Sequence, residues 1–155
     1  TALRILDRAE AANCAIILPV DAVVAFHFEA NAPSQAYGLD AIPGDGMILD
    51  VGPRSIDRIR SAIDDAATLV WNGPVGAFEI APFDRGTVQA AKHAAARTKS
   101  GHLISVAGGG DTVAALNHAG VSSDFTYVST AGGAFLEWME GKPLPGVEVL
   151  RSTRN

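Results

Sequence analysis

At 155 residues, with 48% hydrophobic and 19% charged positions, the chain is globular, of single-domain size and long enough for a real core. A net charge of −5, with no Lys/Arg run beyond two residues, argues against nucleic acid as a partner. No apolar run reaches membrane-spanning length, residues 1–6 lack the shape of a signal peptide, and the single Cys14 excludes an internal disulfide framework and suits a reducing cytosol.

Leu3, Ile5, Leu6, Ala9 and Ala12 recur at helical spacing, so the chain opens in a helix. Residues 15–20 are a short apolar run ended by Pro19 and Asp21 and read as a buried strand; residues 21–28, β-branched and aromatic, read as a second. Residues 31–47, rich in Gly, Pro, Ala and Asp, predict an irregular excursion with at most a hairpin. Met47–Val51 leads into Gly52-Pro53, after which Ile56, Ile59 and Ile63 mark a helix over 55–67. Thr68–Trp71 is a strand, 71–79 a loop, 83–99 an Ala-rich helix and 103–106 a strand. A helix over 111–118, a strand over 125–129 and a helix over 132–140 follow, with 146–150 a closing strand or tail.

From residue 55 onward, short strands alternate with helices, which predicts an α/β fold with a parallel sheet covered on both faces. Ligands of such sheets sit beyond the carboxyl ends of the strands. Three glycine-bearing elements fall there, after Trp71, Val106 and Ser129, and so imply one shared crevice.

Gly108-Gly109-Gly110-Asp111-Thr112 is the most telling of the three. Glycines let backbone N–H groups approach an anion, and the helix that follows offers its positive end. Asp111 would repel phosphate unless a cation lies between them, which points to Mg²⁺. The plainer alternative is a tight turn with Asp111 or Thr112 as helix cap. Gly132 and Gly133 open a helix with no competing acid, so their amides could hold a phosphoryl group during transfer, or could simply allow close packing. On the loop after Trp71, Asn72, Gly73, Pro74 and Glu79 could meet a ribose, with Val75, Ala77 and Phe78 beside a base; the alternative is a core aromatic pair and a solvated acid. Met47–Leu49 could be a further part of that base wall, or only an apolar strand entry. His27, His93, His102 and His118 have no zinc-ligand spacing, and no nucleophile–base triad can be assembled.

In order, Ile17-Leu18-Pro19-Val20-Asp21, Leu49-Asp50-Val51-Gly52-Pro53, residues 71–79, 108–112 and 129–134 resemble the C-terminal portion of phosphoglycerate kinase, and the likeness runs over nearly the whole chain. The resemblance implies a Rossmann-like, three-layer parallel sheet: an incomplete C-terminal domain, residues 1–155, of a two-domain kinase. It implies a phosphotransferase with a carboxyl group as acceptor, acting in glycolysis in the cytoplasm. The phosphoryl group would pass between 1,3-bisphosphoglycerate and Mg-ADP, giving 3-phosphoglycerate and Mg-ATP. Asp111 then faces the nucleotide's Mg²⁺; Gly109, Gly110 and Thr112 lie at the phosphates; Glu79 meets the ribose; Asn72 lies near ribose and phosphates. Leu49 and Ala77 line the adenine, while Gly132 and Gly133 hold the transferring group. Ala131 stands where the family usually has a glycine, and Ile48 where a glycine commonly borders the adenine.

The resemblance further implies that the triose-binding domain and the first strands of the nucleotide domain, together with a glycine-lysine segment, are to be expected outside this sequence. The expectation is therefore a chain that is inactive alone, has an open sheet edge, and works with the rest of its polypeptide. The alternatives are a non-catalytic nucleotide-binding module and a fragment that associates through that edge.

Overall fold

The structure, a computed structural model, describes residues 1–152. Two small sheets carry the site. The first is antiparallel, in the order β2-β1-β3, from β1 (Asp21–Ala25), β2 (Ser34–Gly38) and β3 (Met47–Val51). The excursion over 31–47 thus contributes a strand, with Asp21 opposite Gly38 and Ala25 opposite Ser34. The β1–β3 ladder shifts register between Val23 and Val24. Ala25, Ala32 and Phe83 form a small core beneath this sheet, with Leu49, Ala77 and Ile80 packed on it.

The second sheet is parallel, in the order β4-β5-β6, from β4 (Thr68–Trp71), β5 (Ile104–Gly108) and β6 (Tyr127–Ser129). Helices α2 (Pro53–Asp65), α3 (Arg85–Lys99) and α4 (Gly110–His118) pack on one of its faces. Period-two alternation turns Leu69, Trp71, Ala107 and Val128 toward them. The main core joins these residues to Ile63 of α2, to Ala91, Ala94 and Ala95 of α3, and to Leu116 of α4. The many alanines of α3 let it lie close to its neighbours, and Trp71 meets Phe125 at a ring-centroid distance of 6.2 Å.

The opposite sheet face is more open among the described residues. Val70 (39% exposed), Ile104 (56%) and Tyr127 (61%) stand open on it. A parallel sheet is normally buried on both sides, so this exposed face is unusual for one.

Two expectations are corrected. Residues 15–20 form no strand: 14–19 have no regular structure, and Ile16, Ile17 and Leu18 are exposed. A strand exists only where a neighbour pairs its N–H and C=O groups, and none of the described residues lies alongside to do so. The closing segment is a helix, α6 (Pro145–Ser152), after α5 (Gly132–Met139), and not a strand over 146–150. At the other end, α1 (Ala2–Ala11) forms as expected but buries no residue.

Candidate functional site

Three glycine-bearing loops meet at the carboxyl ends of β4, β5 and β6. Gly109 has φ of +101°, a conformation that disfavours any side chain, and its N–H donates to the Ser129 carbonyl at 3.2 Å. Gly132 lies so close behind it that a Cβ there would collide with the Gly108–Gly109 backbone. Ala131, by contrast, has φ of −89°, so its Cβ is accommodated without strain. Asn72 Oδ1 lies 3.5 Å, and Thr112 Oγ1 3.6 Å, from where a Cβ on Gly109 would stand. The Gly73 N–H donates to Thr112 Oγ1 at 2.7 Å. Thr112 is buried and ties the 72–79 loop to α4. Gly110, Asp111 and Gly133 are exposed, and a Cβ on either glycine would meet open space.

Leu49 and Ala77 come together elsewhere. The Ala77 N–H donates to the Leu49 carbonyl at 2.8 Å, and both residues line a largely apolar cavity of about 680 Å³, as do Ile48, Phe28 and Leu39. Asn72 and the glycine strand ends do not line it, and neither does Glu79, which is exposed at the far end of the loop. The expected residues therefore form an apolar wall, a glycine-lined strand end and one exposed acid on the loop between them.

Sequence reasoning gives no role to the groups that hold this loop from behind. Thr87, fully buried in the first turns of α3, brackets Val75: the Val75 N–H donates to Thr87 Oγ1 at 3.1 Å and the hydroxyl donates to the Val75 carbonyl. Asp50 accepts the Gly86 N–H at 2.8 Å on one oxygen and its neighbour Val51 N–H at 2.8 Å on the other. Burial pushes the Asp50 carboxyl up to about 6; the two amides oppose that and the Asp84 charge adds to it. Asp21 does similar work on α2, where its carboxylate accepts the Arg54 and Ser55 N–H groups and the Ser55 hydroxyl. The available signal was an acid set inside an apolar strand, where an unpaired charge would not be tolerated.

An α/β protein is thus defined, with glycine-rich strand ends drawn together at one edge of a parallel sheet. Its family is explicit: the sequence model for phosphoglycerate kinase matches residues 1–142, and the chain belongs to that family. It is 86% identical over 151 residues to the phosphoglycerate kinase of Rhodopseudomonas palustris, covering 97% of this chain and 38% of that protein. The figure for the Bradyrhizobium diazoefficiens phosphoglycerate kinase is 82%, with the same coverage. The solved structure of phosphoglycerate kinase from Coxiella burnetii superposes with a TM-score of 0.88 at 40% identity, over 96% of this chain and 38% of that one. The chain thus spans 38% of the length of these relatives.

Proposed function

We propose that this chain is the nucleotide side of a phosphoglycerate kinase and works only with the rest of a family-length polypeptide. The reaction is reversible transfer of a phosphoryl group between the acyl phosphate of 1,3-bisphosphoglycerate and Mg-ADP. The acyl P–O bond breaks, a terminal ADP oxygen bonds the phosphorus, and the carboxylate of 3-phosphoglycerate departs. Its setting is cytoplasmic glycolysis.

The observation that carries this reading is the convergence of Asn72, Gly109, Thr112 and Gly132 at the strand ends, with Asp111 exposed beside them. The open Gly110 backbone, next to Gly109, suits the nucleotide phosphates at the start of α4. The Gly132 and Gly133 amides, at the start of α5, suit the phosphoryl group in flight. Asp111 fits Mg²⁺, which is commonly held by one or two carboxylates together with substrate phosphates; the ion would neutralise charge on those phosphates. Leu49 and Ala77 take the adenine, and Glu79 and Asn72 the ribose side.

The partner follows from the uncovered surfaces. An apolar groove of about 430 Å³ runs between Leu18, the inner side of α2 at Ile59 and Ile63, and β4 at Leu69 and Val70. Among the described residues, β4 pairs on one side only. Since the relatives are much longer than this chain, the occupant we assign to groove and edge is the remaining part of such a polypeptide.

A chimera tests the reading: this chain replaces the matching stretch of the Rhodopseudomonas palustris enzyme, and ATP-dependent phosphorylation of 3-phosphoglycerate is measured. Turnover by the chimera, with none by this chain alone, is the expected result. A folded but inactive chimera would sink it.

A further inference from the structure

Asp50 is an acid in an apolar strand, 2% exposed, and no step of the proposed reaction uses it. Its carboxylate is gripped by two glycines from two different elements. Gly86, in the first turn of α3, donates its N–H to Oδ2, and a Cβ on Gly86 would collide with Oδ1. Gly76, on the 72–79 loop with φ of +73°, also lies so close that a Cβ would overlap the Asp50 carboxylate.

Each glycine is followed by a residue that sets the loop. After Gly76 comes Ala77, bonded through its N–H to the carbonyl of Leu49, the residue before Asp50. After Gly86 comes Thr87, whose hydroxyl brackets Val75 on the same loop. One carboxylate therefore fixes the spacing of strand, loop and helix at the place where Leu49 and Ala77 line a common cavity. An apolar residue could fill the volume, but it could not accept the Gly86 and Val51 amides together, and unpaired buried donors are costly.

We propose that Asp50 is a positioning residue for the nucleotide's base, holding the 74–78 loop against β3 so that Leu49 and Ala77 form the two walls of its pocket. This rests on the nucleotide reading above. It deepens that reading by separating base recognition, set from behind by Asp50, from phosphate recognition at the glycine strand ends.

The test uses the chimera. Asp50→Ala should raise KM for ADP about tenfold or more while kcat stays within about threefold, because the base wall shifts and the glycine loops do not. Inhibition by inorganic tripolyphosphate, which has no base, should be unchanged. Asp50→Asn keeps the size and one acceptor, and should restore part of the loss. Equal weakening of ADP and tripolyphosphate, or a fall in kcat with KM unchanged, would overturn the proposal. If the variants do not fold, hydrogen exchange on the unmodified protein decides. Adenosine should slow exchange at the Ala77 and Gly86 amides and tripolyphosphate should not; no slowing by adenosine overturns the proposal. An inactive unmodified chimera counts against the kinase reading instead, so the two failures are distinct.

Discussion

Asp21 and Asp50 are both buried acids that hold the start of a helix, yet they titrate in opposite directions. Burial pushes the Asp21 carboxyl up, but the Ser55 hydroxyl, the Arg54 and Ser55 amides and the Arg54 charge together outweigh it and leave it below its ordinary value. Asp50 meets only two amides, burial prevails, and its carboxyl rises to about 6. Between 3.8 and about 6 the folded protein therefore holds a proton on Asp50 that the unfolded chain has lost. Its contribution to stability is fully present below 3.8 and falls as pH rises toward 6, by up to about 3 kcal/mol. Urea midpoints of the protein and of Asp50→Asn, compared from pH 4 to pH 7, should show a difference that shifts against the unmodified protein as pH rises. Asp21 has the opposite sign: its stabilisation is present above 3.8 and is lost as pH falls toward its lowered folded value. Asp21→Asn should cost about 2 kcal/mol at pH 7, with the deficit shrinking in acid. A deficit that grows on acidification would rule out the carboxylate as the stabilising group.

At the scale of elements, the glycine strand ends were legible in sequence because glycines after a short apolar strand mark a turn; the positive φ at Gly109 is such a local need, whereas the missing Cβ at Gly132 answers to the distant Gly109 backbone. Of the groups that brace those loops, Asp50 left one local trace, an acid inside an apolar strand, but the partners of Asp50 and Thr87 were not legible. Thr87 and Asp50 act on residues 12 and 36 positions away, and spacing along the chain does not report such contacts. The strand expected over 15–20 failed for the same reason, since pairing depends on a neighbour and not on β-branched composition. The helix at 145–152 was missed although its start carries Pro145 and the acid Glu148, both helix-opening signals; its short apolar pattern read as a strand or tail. Glycines 132 and 133 supply a paired test. Gly132→Ala must push a methyl into the Gly109 backbone and should destabilise by about 1–3 kcal/mol. Gly133→Ala enters open space in a helix, so stability should hold or rise by up to about 1 kcal/mol. Thermal melts of the two variants distinguish them, and equal shifts would contradict the packing described at Gly132.

On the scale of the whole molecule, the order of elements from 55 to 140 was readable from alternating patterns, whereas the exposure of one sheet face was not, because local sequence does not say what covers a surface. Val70, Ile104 and Tyr127 are apolar or aromatic and point away from α2, α3 and α4. If the rest of a family-length polypeptide covers them, one substitution should have opposite effects in two contexts. Ile104→Lys in the isolated chain places a charge on a surface that already meets water, and should reduce self-association through the exposed sheet. The same substitution in the chimera buries an unpaired ammonium, at a cost of about 3–5 kcal/mol. Light scattering should therefore show a smaller mean mass for the isolated Ile104→Lys chain than for its parent, while the chimera melts at lower temperature or fails to accumulate. A chimera that keeps its melting temperature despite Ile104→Lys would place that face in solvent, and the covering polypeptide would have to be sought at the β4 edge and its apolar groove alone.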